Sequence, residues 1–230
     1  MSEAPVLTII TVTSGRPEGL ARLIQSIEAQ TLKLPFMHLL LWDDFRAPGA
    51  QPPDSYNVPG RRFSIVFPPG WAKGTNSYSL GGAPTTVGIL VAKTPWIMFA
   101  DDDVWWESTH LEAMNRALTE ARAHWATTLR IVWSPENDRI GVDRFESVGD
   151  SPDRRVPYEM CDNNTMIYRR ELGVQCVHAV HETQDYNADR LLYQELKKRG
   201  GTPGFTNVAT INQTCPTRLA EFFRANCSPT

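Results

Sequence analysis

The stretch WIMFADDDVWW, residues 96–106, decides how this chain is read. Five apolar residues, 96–100, have the length and bulk of a buried strand. They run without a spacer into Asp101, Asp102 and Asp103. A strand that stops on acids at its C-terminal end is informative in an open α/β sheet, because ligands there bind outside the carboxyl ends of the strands. Three adjacent carboxylates repel one another unless something positive sits among them. A hard divalent cation, Mn²⁺ or Mg²⁺, is the natural partner, since it prefers oxygen ligands and brings phosphates with it. A solvated turn or a helix N-terminal cap is the alternative for such a triplet taken alone.

Working outward, a second apolar segment, residues 37–42, also ends on acids, Asp43 and Asp44. Residues 6–12 form a first strand rich in Val, Ile and Thr. Pro17 then suits a first helical turn, and Leu20, Leu23, Ile24 and Ile27 follow with the spacing of one buried helical face. Residues 63–67 read as a third strand, residues 68–84 as a glycine-rich loop suited to ordering over a bound donor, and residues 85–92 as a short helix. Thr109 and Glu112 have the spacing of a capping box before a helix lined by Leu111, Met114, Leu118 and Ala121. The β-α-β-β-α-β-α order predicts an α/β fold with a mostly parallel central sheet flanked by helices. Both acidic strand ends then face one crevice. Beyond residue 126 the pattern is less regular. Residues 127–133 and 165–168 read as strands, residues 135–158 as polar and turn-rich, and Asn187 as a cap for a helix that Gly200 stops.

Composition bounds the rest. With 230 residues, 41% hydrophobic and 21% charged, the chain is long enough to bury a substantial core and is neither disordered nor fibrous. A net charge of −3 does not favour a generic nucleic-acid binder, although a nucleic acid is not excluded as an acceptor. The pairs Arg61-Arg62, Arg154-Arg155 and Arg169-Arg170 read as solvated surface. No apolar run approaches the roughly 18 residues of a spanning helix. No basic leader precedes the first strand, and the four cysteines lack metal spacing. These features predict a cytoplasmic protein, soluble or peripherally membrane-associated. No clean linker divides it. We read one domain, residues 1–230, with a nucleotide-binding half to about residue 105 and an acceptor-binding half from about residue 106.

Competing phosphate-binding motifs are missing. Neither G-x-G-x-x-G nor G-x-x-x-x-G-K-[ST] occurs. The pair His178 and His181, with Glu182, lacks a third ligand at fixed spacing and reads as a surface pair. Trp105 and Trp106 suit either sugar stacking or core packing.

The segments ITVTSGRPEGLARLIQSIEAQT, LLLWDD, VGILVAKTPWIMFADDDVWW, DNNTMIYRREL and ADRLLYQELKKRGG, in that order and spacing, resemble a family 2 glycosyltransferase with the GT-A fold and its DxD-type motif. The resemblance implies transfer of a sugar from a nucleotide-diphosphate sugar, UDP favoured, to an acceptor hydroxyl, with inversion. It implies nucleotide contacts from Thr11, Thr13, Arg16, Asp43, Asp44, Asp101 and Asp102, and metal ligation by Asp103 and Asp101. Asp189, with Asp185 as the alternative, corresponds to the general base. The family's acceptor region falls on Cys161, Asp162, Asn163 and Asn164, and Trp105 and Trp106 are further acceptor candidates. Two departures stand out: Thr85-Thr86 replace the family's Arg-Asn pair, and Ala188 replaces its glutamate. A nucleotidyltransferase on a related fold and a catalytically degenerate sugar-nucleotide or glycan-binding protein remain alternatives.

Overall fold

The computed structural model describes residues 4–13, 15–43, 56, 62–67, 82–149, 160–181 and 188–228. The first half runs β1 (Leu7–Thr13), α1 (Pro17–Glu28), β2 (Phe36–Asp43), β3 (Arg62–Phe67), α2 (Gly82–Val91) and β4 (Trp96–Phe99). The second half runs β5 (Val104–Trp106), α3 (His110–Ala121), β6 (Trp125–Trp133), β7 (Arg139–Asp143), α4 (Phe145–Val148), β8 (Met166–Arg169), α5 (Arg170–His181), α6 (Ala188–Gly200), β9 (Gly204–Thr214) and α7 (Thr217–Asn226). Among the described residues the strands form one sheet in the order β3-β2-β1-β4-β8-β6-β9-β5, with β7 on β6.

The expected α/β fold with a helix-flanked central sheet is the one that forms. The ladder is parallel across β3, β2, β1 and β4. It turns antiparallel at β8, which pairs antiparallel with both β4 and β6, and β9 then runs parallel to β6. The sheet is therefore mixed, and it continues from one half of the chain into the other.

Strand alternation builds the two faces. On β1, Ile9 joins a cluster with Leu23 and Ile27 of α1 and with Leu111 and Met114 of α3. Its neighbour Ile10 points the other way, into a cluster with Ile89 of α2, Leu172 of α5 and Leu192 of α6. The period of two along a strand thus places helices on both faces. A third cluster, Val132, Phe145, Cys215, Ala220 and Phe223, seats α7 against the far end of β6.

Gly88 in α2 shows how closely helix and sheet approach. A Cβ there would lie 2.8 Å from Ile10 Cγ2 and 3.1 Å from Leu41 Cδ1. The helix begins at Gly82, three residues before its expected start. The capping box at Thr109 does not form, because no side chain caps that end from Thr109. Gln30 does so instead, its Oε1 accepting from the Leu111 N–H at 2.9 Å. Among the described residues no helix is long and apolar enough to cross a membrane.

Candidate active site

The acidic motif begins where β4 leaves the sheet. Thr11 Oγ1 donates to the Ala100 carbonyl at 2.6 Å and also meets His38 Nε2 at 2.9 Å. Asp102 turns inward, where it accepts from Thr13 Oγ1 at 2.5 Å and pairs with Arg16 Nη2 at 2.6 Å. It is 1% exposed. Gly19 makes this fit possible: a Cβ at that position would lie 1.9 Å from the Asp102 carbonyl oxygen. The first turn of α1 is thus pressed against the motif.

Asp101 and Asp103, the alternate residues, face outward. Asp101 takes an amide hydrogen bond from Asn164 Nδ2 at 3.2 Å, and its own N–H donates to Asn164 Oδ1 at 2.7 Å. Asp103 Oδ2 accepts from Arg16 Nη1 at 3.3 Å. Burial, then the charges of Asp103 and Asp162, push the Asp101 carboxyl well up, while the Asn164 hydrogen bond opposes the shift. Burial also raises Asp103, against the pull of Arg16.

The opposite wall comes from the second half. Asp189 lies in the first turn of α6 and is partly buried. Burial is the main cause that pushes its carboxyl up to about 7, and the negative charges of Asp162 and Glu146 add to it. A hydrogen bond from the Asn163 backbone N–H and the charge of Arg130 oppose the rise. Arg130 on β6 is 2% exposed. Its guanidinium donates to Asp143 at 2.9 Å and to Gln213 at 2.5 Å, and it also pairs with Glu146 and Asp162. Burial works against the Arg130 charge, but the three carboxylates outweigh it and raise its pKa. A cavity of about 520 Å³ is lined by Asp101, Asp103, Arg130, Asp162, Asn164 and Asp189, and closed on one side by Leu219 and Phe223 of α7. Another cavity, about 350 Å³, lies by the starts of β1 and β4 and has no carboxylate in its lining.

The structure thus brings Asp101, Asp103, Asp162 and Asp189 into one cavity. It places other expected residues differently. Thr11 and Thr13 are buried, their hydroxyls committed within the sheet and to Asp102. Asp102 is likewise internal, an anchor for Arg16 and Thr13. Trp106 is 3% exposed and packs on His110 at 4.5 Å, which makes it core and not acceptor surface. Trp105 is outside the cavity lining, with the Arg22 guanidinium over its ring at 3.6 Å. Asn163 is buried and reaches the site through its backbone. Asp162 is held by Arg130. Arg16 remains half exposed beside Asp102 and Asp103.

Asp43 ends β2 one residue beyond the Thr13–Trp42 pair, so its backbone is near the end of β1. Asp44, Asp185, Asn187, Glu182 and the loop at residues 68–81 lie outside the described residues. His178 is exposed and 4.0 Å from Glu195.

The sequence reading missed Arg130 and Glu146, and placed Asn164 only within the acceptor-region run of residues 161–164, without its contact to Asp101. Arg130 did carry a signal, as the lone charge inside the otherwise uncharged WATTLRIVW of β6. Glu146 carried none, because its role depends on Arg130, sixteen residues away in the chain.

Among the described residues no group of three or more His, Cys, Asp or Glu side chains is set up to hold a metal. Two carboxylates are nevertheless available at Asp101 and Asp103. Asp103 Oδ1 is shielded from water and accepts no hydrogen bond, as a ligand oxygen awaiting a cation would be. Mg²⁺ commonly takes only one or two protein carboxylates and completes its shell with phosphate and water, so the residues present fit such an ion.

These elements make a mixed α/β fold with a helix-flanked central sheet. Solved structures of S. aureus TarS share it. TarS 1-349 superposes with a TM-score of 0.66 at 14% identity, covering 95% of this chain and 69% of that one. The TarS 1-349 complex with UDP gives 0.65 at 16% identity, covering 96% and 66%. The complex with UDP-GlcNAc gives 0.64 at 14% identity, covering 91% and 58%. No protein-family model matches the chain, and no curated protein matches it by sequence. At such identities the likeness concerns the fold.

Proposed function

We propose that this chain is an inverting glycosyltransferase that moves a sugar from a nucleotide-diphosphate sugar, a UDP-sugar, to an acceptor hydroxyl. The observation that carries the reading is the shared cavity. Two outward carboxylates, Asp101 and Asp103, line it at the end of β4, and Asp189, pushed up to about 7, lines it from α6. The UDP and UDP-GlcNAc complexes of TarS on the same fold support a uridine diphosphate donor.

Mn²⁺ or Mg²⁺ held by Asp103 and Asp101 would neutralise the charge that develops on the diphosphate leaving group. Arg16 is half exposed beside Asp103, which supports its service as a protein cation for the same group. Asp189 removes the proton from the acceptor hydroxyl as that oxygen attacks the anomeric carbon. A carboxyl that titrates near 7 is matched to this task at neutral pH. Direct displacement with one base inverts the configuration at that carbon. The Leu219 and Phe223 wall supports acceptor binding on the α7 side. The acceptor itself is any hydroxyl-bearing molecule that enters there.

The test is product analysis with a panel of UDP-sugars and Mn²⁺. Release of UDP, lost in Asp103→Ala, supports the reading. Release of pyrophosphate from a nucleoside triphosphate and a sugar phosphate would replace it with nucleotidyl transfer. Donor binding with no turnover on any acceptor or water would leave a binding protein.

A further inference from the structure

The short turn Asn163–Thr165, entered through Asp162, contributes Asp162 and Asn164 to the cavity lining. Asp162 accepts from the Asn164 N–H at 2.9 Å, which shapes the turn, and its other oxygen pairs with Arg130. Asn163 donates its backbone N–H to Asp189. The Asn164 side chain reaches the opposite way. Its Oδ1 accepts from the Asp101 N–H at 2.7 Å. Its Nδ2 donates to Asp101 Oδ2 at 3.2 Å and to Asp162 Oδ1 at 2.9 Å. The residue is 4% exposed.

An amide suits this place because of what it holds apart. Asp101 and Asp162 repel each other, and Asp103 adds to the repulsion on Asp101. A neutral NH₂ group can donate to both carboxylates at once while the amide oxygen accepts from the backbone. A lysine or arginine would neutralise Asp101 and compete with an incoming cation. A carboxylate would add to the repulsion. An aliphatic side chain would leave Asp101 turning in a field of like charge.

We propose that Asn164 is a positioning residue: it fixes the Asp101 carboxylate for the metal-bound diphosphate of the donor, and its turn ties that carboxylate to Asp189. The inference rests on the glycosyltransferase reading above. Asn164 acts through Asp101, so its loss weakens donor binding first, while the hydrogen bond to Asp189 runs through the Asn163 backbone and is kept.

The full chain with Asn164→Ala, Asn164→Asp and Asn164→Ser is titrated with UDP, with and without Mn²⁺, by calorimetry, and KM and kcat are measured for the UDP-sugar. Loss of a hydrogen bond to a charged group corresponds to about tenfold or more in affinity. Asn164→Ala should therefore bind UDP with Mn²⁺ on the order of tenfold more weakly, and KM should rise in step. Metal-free UDP binding should stay in place. Asn164→Asp should be worse than Asn164→Ala, and Asn164→Ser, which keeps a donor and an acceptor, should recover part of the loss. Folded variants with the parent affinity and KM overturn the proposal. So does a uniform fall in kcat and Tm with KM unchanged, which marks a merely structural role. If Asn164→Ala does not fold, Asn164→Ser and the near-isosteric Asn164→Asp decide by the same criteria. If the parent chain itself binds no UDP with Mn²⁺, the glycosyltransferase reading fails, and this inference falls with it.

Discussion

Asp189→Asn keeps the size of the side chain and an oxygen for the Asn163 N–H, and removes the charge and the basic lone pair. The structure makes two linked forecasts for it. A carboxyl moved from 3.8 to about 7 disfavours its ionised form in the folded chain. The full shift corresponds to a ceiling of roughly 4 kcal/mol at pH above 7, at 1.36 kcal/mol for each pH unit. Solvent reaches this partly exposed group, so on the order of 2 kcal/mol is the effect to look for. The sign follows from proton binding. The folded chain holds the proton more tightly than the unfolded one, so stability falls as pH rises from about 4 through 7. The asparagine variant has no such loss. It should match the parent near pH 4 and exceed it at pH 8 by about 5 °C in Tm. Transfer to acceptor should meanwhile fall by about 10²–10⁴-fold, with donor affinity little changed. In the parent, kcat should rise with pH and level off near 7. Scanning calorimetry at both pH values and rate measurements across pH check the two forecasts. Equal Tm offsets at pH 4 and pH 8 would refute the charge argument, and activity above one-tenth of the parent would remove Asp189 as the base.

Asp103→Ala should abolish Mn²⁺-dependent UDP binding while the fold persists, because the side chain gives up only the 3.3 Å contact of Oδ2 with Arg16, which keeps its ion pair to Asp102; calorimetry with UDP and Mn²⁺ reads the outcome, and unchanged affinity would take Asp103 out of the metal site. Arg130→Met should cost about 3–5 kcal/mol in urea unfolding, since it strips the shared cation from buried Asp143 and Asp162; a loss under 1 kcal/mol would mean these carboxylates find other partners. Gly19→Ala must push α1 or the Asp102 carbonyl aside to relieve a 1.9 Å contact, so it should weaken UDP binding as well as lower Tm, as a thermal-shift titration would show; parent-like values for both would deny that α1 sets the motif.

The first half was legible because its residues obey simple periods. Residues 96–100 are a continuous apolar run, residues 6–12 are a run of Val, Leu, Ile and Thr typical of a strand, and Leu20, Leu23 and Ile27 bury one face of α1. Such local patterns need no knowledge of partners. The acidic strand end was legible for the same reason, as a chemical anomaly directly after an apolar run. α5 was missed although Leu172, Cys176 and Val180 repeat at helical spacing and are buried. β9 was hidden because its inward positions are polar. Thr206 and Thr210 meet Thr128 at 2.9 and 2.7 Å, and Asn212 accepts from Trp133 Nε1 at 2.9 Å. A strand whose buried side satisfies hydroxyls and amides with one another has no hydrophobic alternation to reveal it.

The sequence by itself determined the α/β class and the acidic end of β4, since apolar spacing and strand-end acids are written locally; Asp189, with Asp185 as the alternative, came only from the family resemblance. Tertiary structure alone decided which acids face the cavity. Asp101, Asp102 and Asp103 are chemically identical in the sequence, yet Arg16 and Thr13 draw the middle one inside and leave its neighbours outward. It likewise decided the Asp189 pKa, which depends on burial and on Asp162, Glu146 and Arg130. Burial and charge act through distance in space, and residues 130, 146, 162 and 189 come within reach of one another only once the sheet has folded.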